Sequence, residues 1–159
     1  MDIKTALASQ YRAALAMLGK AVRKCPDALW DDRRYVNVFW HVAYHALFYT
    51  HFYLQDSPDA FTPWAKHETD RRYLGREPGE TPYSKDEILE YLSICREQVK
   101  ERMVALNLEA ESGFSWLPYT KLEVQIYNIR HLQQHVGELY ERLGAHGECE
   151  LQWIGSRAE

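Results

Sequence analysis

The chain has 159 residues, 46% of them apolar and 26% charged, with a net charge of −4. These values fit one soluble globular domain over residues 1–159 and exclude the broad basic surface that nucleic acids or acidic membranes require; Arg33-Arg34 and Arg71-Arg72 are too short to supply it. Cys25, Cys95 and Cys149 lie far apart without a CxxC pair, and their odd number speaks against a disulfide framework, so a reducing cytoplasm is expected.

The N-terminal stretch MDIKTALASQYRAALAML mixes charge with apolar residues and lacks the apolar region of a signal peptide. Leu7, Tyr11, Ala14, Leu15, Leu18 and Val22 recur at helical spacing and predict a first helix from Ile3 to Lys24. Cys25-Pro26 ends it, because the residue before proline is pushed out of the α region. CPDALWDD reads as a turn, with Trp30 as a plug for the end of a bundle. A second helix is predicted from Tyr35 to Leu54, apolar nearly all round and therefore central. Val38–Leu54 is long enough to test as a membrane span, but three histidines there would be costly in lipid and no second apolar segment accompanies it.

Gln55–Tyr83 follows as a long irregular segment with Pro58, Pro63, Pro78 and Pro82. A loop of this length inside a compact domain is commonly functional, and Phe61, Trp64, Tyr73 and Tyr83 predict that it packs down. Ser84 with Glu87 forms a capping box and starts a third helix whose buried face carries Ile88, Leu89, Leu92, Cys95, Val99 and Met103. Thr120 with Glu123 starts a fourth helix, predicted to reach Leu143 with Gly144 as its stop. Trp153 and Ile154 are expected to dock the tail. The expected fold is all-α, a four-helix bundle of up-down-down-up course with a long crossover between helices two and three.

In the fourth helix, Leu122, Ile126, Ile129, Val136 and Leu143 share one side at about 100° per residue, and Val124, Leu132 and Leu139 widen that arc. His135 falls inside the widened arc and His131 at its edge, stacked one turn apart. That spacing lets two imidazole nitrogens converge on one ion. The second helix repeats it at His41 and His45, so either could supply a third ligand. A divalent ion held this way would lower the pKa of its water or hold a thiol as thiolate. An isolated HxxxH pair is more often structural than metallic. Leu132, Gln133 and Gln134 between the histidines exclude an HExxH protease. The second helix has no inward carboxylate, which excludes a carboxylate-bridged di-metal site. His51, His67 and His146 read as structural or solvated.

FWHVAYHALFYTHFYL followed by IYNIRHLQQHVGEL, together with the Cys-Pro…Leu-Trp turn after the first helix, resembles the DinB/YfiT-like superfamily of bacterial metal-binding four-helix bundles. The likeness runs from the first helix through the fourth. It implies three histidine ligands, His45, His131 and His135, with His41 as the fallback for the first. It also implies one divalent ion, zinc or nickel, and a homodimer. Some members of the superfamily are mycothiol-dependent isomerases or bacillithiol transferases, so a low-molecular-weight thiol is an expected cofactor. The expected function is a metal-dependent hydrolase or thiol transferase acting on a small molecule; the alternative is a non-catalytic metal-binding or structural helical dimer related to stress responses. Asn128 and Tyr49 are candidates to support the ligands, and Arg130 and Arg71-Arg72 to meet an anionic substrate, although each arginine reads first as a surface or ion-pair residue.

Overall fold

A computed structural model describes residues 2–147 and 151–156; Cys149 lies outside them. Among the described residues the chain is all-α, with five helices and no strand: α1 (Ile3–Lys24), α2 (Asp27–Trp30), α3 (Phe39–Tyr53), α4 (Lys85–Ala105) and α5 (Lys121–Ala145). α1 and α3 touch each other little, and both pack against α4 and α5. Tyr11, Leu15, Leu18, Trp40, Tyr44, Phe48, Tyr91, Leu132 and Leu139 are buried between them. Each such side chain contributes about 1.5–3 kcal/mol relative to exposure. No helix among the described residues is long and apolar enough to cross a membrane.

The ends of α1 and α4 fall where local chemistry places them. Asp2 caps the N-terminus of α1, and at Ser84 both halves of the capping box form. Two other ends differ from expectation. α3 starts at Phe39 rather than Tyr35 because the preceding residues are held by a local Asp32–Arg34 contact and by two long-range contacts of Asn37. Asp32 binds the Arg34 N–H (3.1 Å) and guanidinium (2.6 Å), Asn37 Oδ1 accepts from the Gly75 N–H (2.7 Å), and the Asn37 carbonyl accepts from Arg142 Nη1 (2.6 Å). α5 runs through Gly144 to Ala145, and Gly147, two residues on, turns the chain with a φ of 74°, the left-handed conformation that glycine tolerates.

The buried face of α5 is also rotated from the expected one. Val124, Gln125, Asn128, Leu132, His135, Val136, Leu139 and Leu143 are buried, whereas Ile126 is 47% exposed. Buried amides make the shift possible because most of their polar atoms find partners. Gln125 accepts from the Tyr11 hydroxyl (2.7 Å) and donates to the Tyr53 carbonyl (3.0 Å), and Asn128 Nδ2 donates to the Thr50 carbonyl (3.0 Å). His135 is buried and His131 half-buried at the margin, as the arc in the sequence places them.

The long connection between α3 and α4 packs down as expected, with single turns of 3-10 helix at Pro58–Ala60 and Thr69–Arg72. Trp64 and Tyr83 are buried and Phe61 packs against the core. Trp30 closes one end, its indole N–H donating to the Tyr83 carbonyl at 2.8 Å. In the tail, Ile154 packs on the core and Gln10 donates to the Gly155 carbonyl (3.1 Å), while Trp153 stays 68% exposed.

Candidate metal centre

α3 and α5 bring His45, His131 and His135 together, with one ring nitrogen from each lying within 4.8 Å of the others. His131 Nε2 is 3.1 Å from His45 Nε2 and 3.2 Å from His135 Nε2. Tetrahedral coordination at zinc–nitrogen distances of 2.0–2.1 Å sets ligand nitrogens about 3.3 Å apart, so the spacing suits a single ion. His41 is not part of this group. Its Nε2 faces the Arg71 carbonyl at 2.7 Å, one turn along α3.

The outer ring nitrogens fix which atoms face inward. His45 Nδ1 is 2.7 Å from the Arg72 carbonyl. A carbonyl only accepts, so Nδ1 carries the proton and Nε2 keeps its lone pair for the centre. His135 Nδ1 meets Glu138 Oε2 at 3.2 Å, and Glu138 is anchored in turn by Arg142. The hydrogen bond from His135 is the leading reason the Glu138 carboxyl is held below its usual range. This is the arrangement in which a carboxylate orients a ligating imidazole. The donor set therefore fits a cation: two lone pairs converge with a third nitrogen on one point, and no carboxylate among the described residues joins the group.

Burial favours the neutral form of His45 and His131. It is the main cause that lowers His45 to about 3 and His131 to about 4, from an ordinary 6.5. Neutral imidazole is the ligating form. Tyr49 forms one wall, its ring 4.8 Å from that of His45 and 5.5 Å from that of His131.

Asn128, a candidate from the sequence to support the ligands, does not reach them. Its amide nitrogen instead goes to Thr50, and both Asn128 Oδ1 and His131 Nδ1 are buried without a hydrogen-bond partner. Glu138 escaped the sequence reading as a functional residue, although its spacing from His135 (i,i+3) and Arg142 (i,i+4) is that of neighbours on a helix face. The Arg72 carbonyl could not have been found that way, since a backbone acceptor leaves no residue-type signal.

The remaining histidines lie elsewhere. His51 is buried beside the Tyr91 hydroxyl (3.4 Å), and His67 pairs with the Tyr44 hydroxyl. His146 caps the exposed end of α5. A cavity of about 500 Å³ borders His51 and Glu90, and one of about 1080 Å³ borders Arg33 and Glu80; neither is lined by the three clustered histidines.

Burial lowers His51 to about 4 and also depresses His41. The unfolded chain takes up protons near 6.5, whereas the folded one resists until well below that. Stability is therefore full above pH 6.5 and lost as pH falls toward 4, at up to about 1.4 kcal/mol per pH unit for each such histidine. Urea unfolding of chelator-treated protein should give a clearly lower midpoint at pH 5 than at pH 7; equal midpoints would contradict these assignments.

An all-helical chain with three imidazole nitrogens converging between two helices defines a helical protein with a candidate three-histidine metal site. The chain belongs to the DinB superfamily: the family's model matches residues 10–139, a span that includes all three histidines. Comparisons with the curated proteins and with the solved structures gave no match.

Proposed function

We propose that His45, His131 and His135 hold one divalent ion, zinc or nickel, and that the chain is a metal-dependent enzyme acting on a small molecule. The observation that carries this reading is the convergence of the three Nε2 atoms, with the Nδ1 protons of His45 and His135 committed outward to the Arg72 carbonyl and Glu138. A divalent ion there supplies Lewis acidity that brings water, for hydrolysis, or a low-molecular-weight thiol, for transfer, toward the reactive anion at neutral pH.

The chain's own residues do the rest. The Arg72 carbonyl and the Glu138–Arg142 pair hold two imidazoles in the ligating tautomer. Tyr49 screens one side of the site from water.

We read the four long helices as a bundle of up-down-down-up course. Four sets of contacts support this. Lys4 reaches the Val104 carbonyl, so α1 and α4 run oppositely. Tyr11 meets Gln125 and Met17 meets Tyr140, so α1 and α5 run together. His45 meets His131 and Thr50 meets Asn128, so α3 and α5 run oppositely. Leu47 meets Cys95 and Leu54 meets Arg102, so α3 and α4 run together. In this course the long connection crosses the bundle and delivers the Arg72 carbonyl to His45.

The test is turnover by tag-free protein, stripped with chelator and reloaded with zinc or nickel, against ester substrates and against electrophiles offered with low-molecular-weight thiols. The reading expects activity that vanishes with chelator and returns with metal. A protein that binds metal, melts higher with it and turns over neither class is the non-catalytic metal-binding bundle instead.

A further inference from the structure

The two arginines of the Thr69–Arg72 turn have different fates. Arg71 is buried and committed: it ion-pairs with Glu68 at 2.8 Å and stacks over Tyr83 at 4.6 Å and Trp40 at 5.5 Å. Arg72 is half-buried. Its guanidinium lies 4.7 Å from the Tyr73 ring centroid and 5.9 Å from that of Phe48. Arg76 covers the same Tyr73 ring at 4.6 Å. Among the described residues no carboxylate pairs with Arg72 or Arg76. Two cations therefore share one aromatic ring without an anion between them.

The position of Arg72 is tied to the metal centre. Its carbonyl accepts the His45 Nδ1 proton, and Phe48 and Tyr49, on the next turn of α3, connect its guanidinium to the histidines. A half-buried guanidinium without a counter-ion is partly desolvated at a cost. An oxyanion from solution that meets its accessible part would offset that cost, and the planar fork of arginine suits a carboxylate in particular.

We propose that the ligand of the three-histidine centre carries a carboxylate, which docks on the Arg72 guanidinium while the reacting end faces the histidines. The inference rests on the metal-centre reading and deepens it by naming the substrate class. Arg72 is in this account a specificity residue. Its backbone supports His45 and its side chain selects the ligand, so substituting the side chain leaves the backbone contact in place.

The test joins a metal-seeking thiol to a carboxylate. Calorimetric titration of zinc-loaded protein compares 3-mercaptopropionate with 3-mercapto-1-propanol, and 6-mercaptohexanoate with 6-mercapto-1-hexanol. The quantity read is the ratio of the alcohol's Kd to that of the acid at each chain length. The wild type is expected to favour the acid roughly ten- to hundredfold for at least one length, as a charge-assisted bidentate contact provides. Arg72→Gln should bring that ratio to about one. If Arg72→Gln does not fold, Arg72→Lys decides, and losing the fork should cut the preference at least threefold. Equal binding of acid and alcohol by the wild type, no binding of either, or a preference undiminished in the Arg72 variant overturns the proposal. Zinc content, measured first, separates these outcomes from failure of the metal reading, which would appear as protein that retains no zinc.

Discussion

Replacing His131 and His135 together with alanine is expected to give a folded protein that no longer holds metal. Two of the three converging nitrogens disappear, and His45 Nε2 alone faces an empty corner. Losing only an outer partner of a metal ligand commonly costs ten- to hundredfold in affinity, so losing two ligands should cost far more. The fold should survive. His131 sits half-buried at the margin of α5, and the core beneath it is built by Leu132, Val136 and Leu139. Metal analysis should fall from one ion per chain to none, and the rise in melting temperature on adding zinc should vanish. His45→Ala should behave likewise, whereas His41→Ala should keep its metal, because His41 faces the Arg71 carbonyl and not the cluster. Unchanged metal content in the double variant would refute the assignment.

The second large effect concerns stability. Lys121, at the first turn of α5, is 3% exposed, and its ammonium donates to three backbone carbonyls: Gln55 (3.1 Å), Asp56 (2.5 Å) and Ser112. Two of these lie just beyond the C-terminus of α3, at Tyr53. Lys121 thus ties the segment that leaves α3 to the start of α5. Lys121→Met keeps much of the volume and leaves three carbonyls without a donor. At about 1–3 kcal/mol each, partly recovered by water, the loss should be about 3–5 kcal/mol. That is a large share of a typical domain's stability, and it should appear as a strongly reduced urea midpoint. Gly113→Ala should be comparably damaging. Its φ is 78°, and a β-carbon there would overlap the Asp56 carbonyl oxygen. A midpoint close to wild type for either variant would show that this junction carries little of the fold.

Much of this was legible in the sequence where local chemistry decides. Cys25-Pro26 ended α1, and the Ser84–Glu87 box started α4, because caps and proline act within a few residues. The histidine spacing placed His131 and His135 on one margin of α5. It could not choose between His41 and His45, since both lie on the inward side of α3. That choice depends on where the Arg71 and Arg72 carbonyls fall, and they belong to a turn about thirty residues away. The rotation of α5 was hidden for a similar reason. The partners that bury Gln125 and Asn128, namely Tyr11, Tyr53 and Thr50, lie on other helices. The role of Lys121 was equally invisible, because its partners are backbone atoms supplied by two other segments.

Zinc titration of tag-free, chelator-stripped protein by calorimetry decides whether the three imidazole nitrogens form one metal site. Saturation at one zinc per chain is expected in the wild type, with no saturable binding after His131→Ala/His135→Ala. Absence of saturable binding in the wild type, or binding that the double substitution leaves intact, would contradict it.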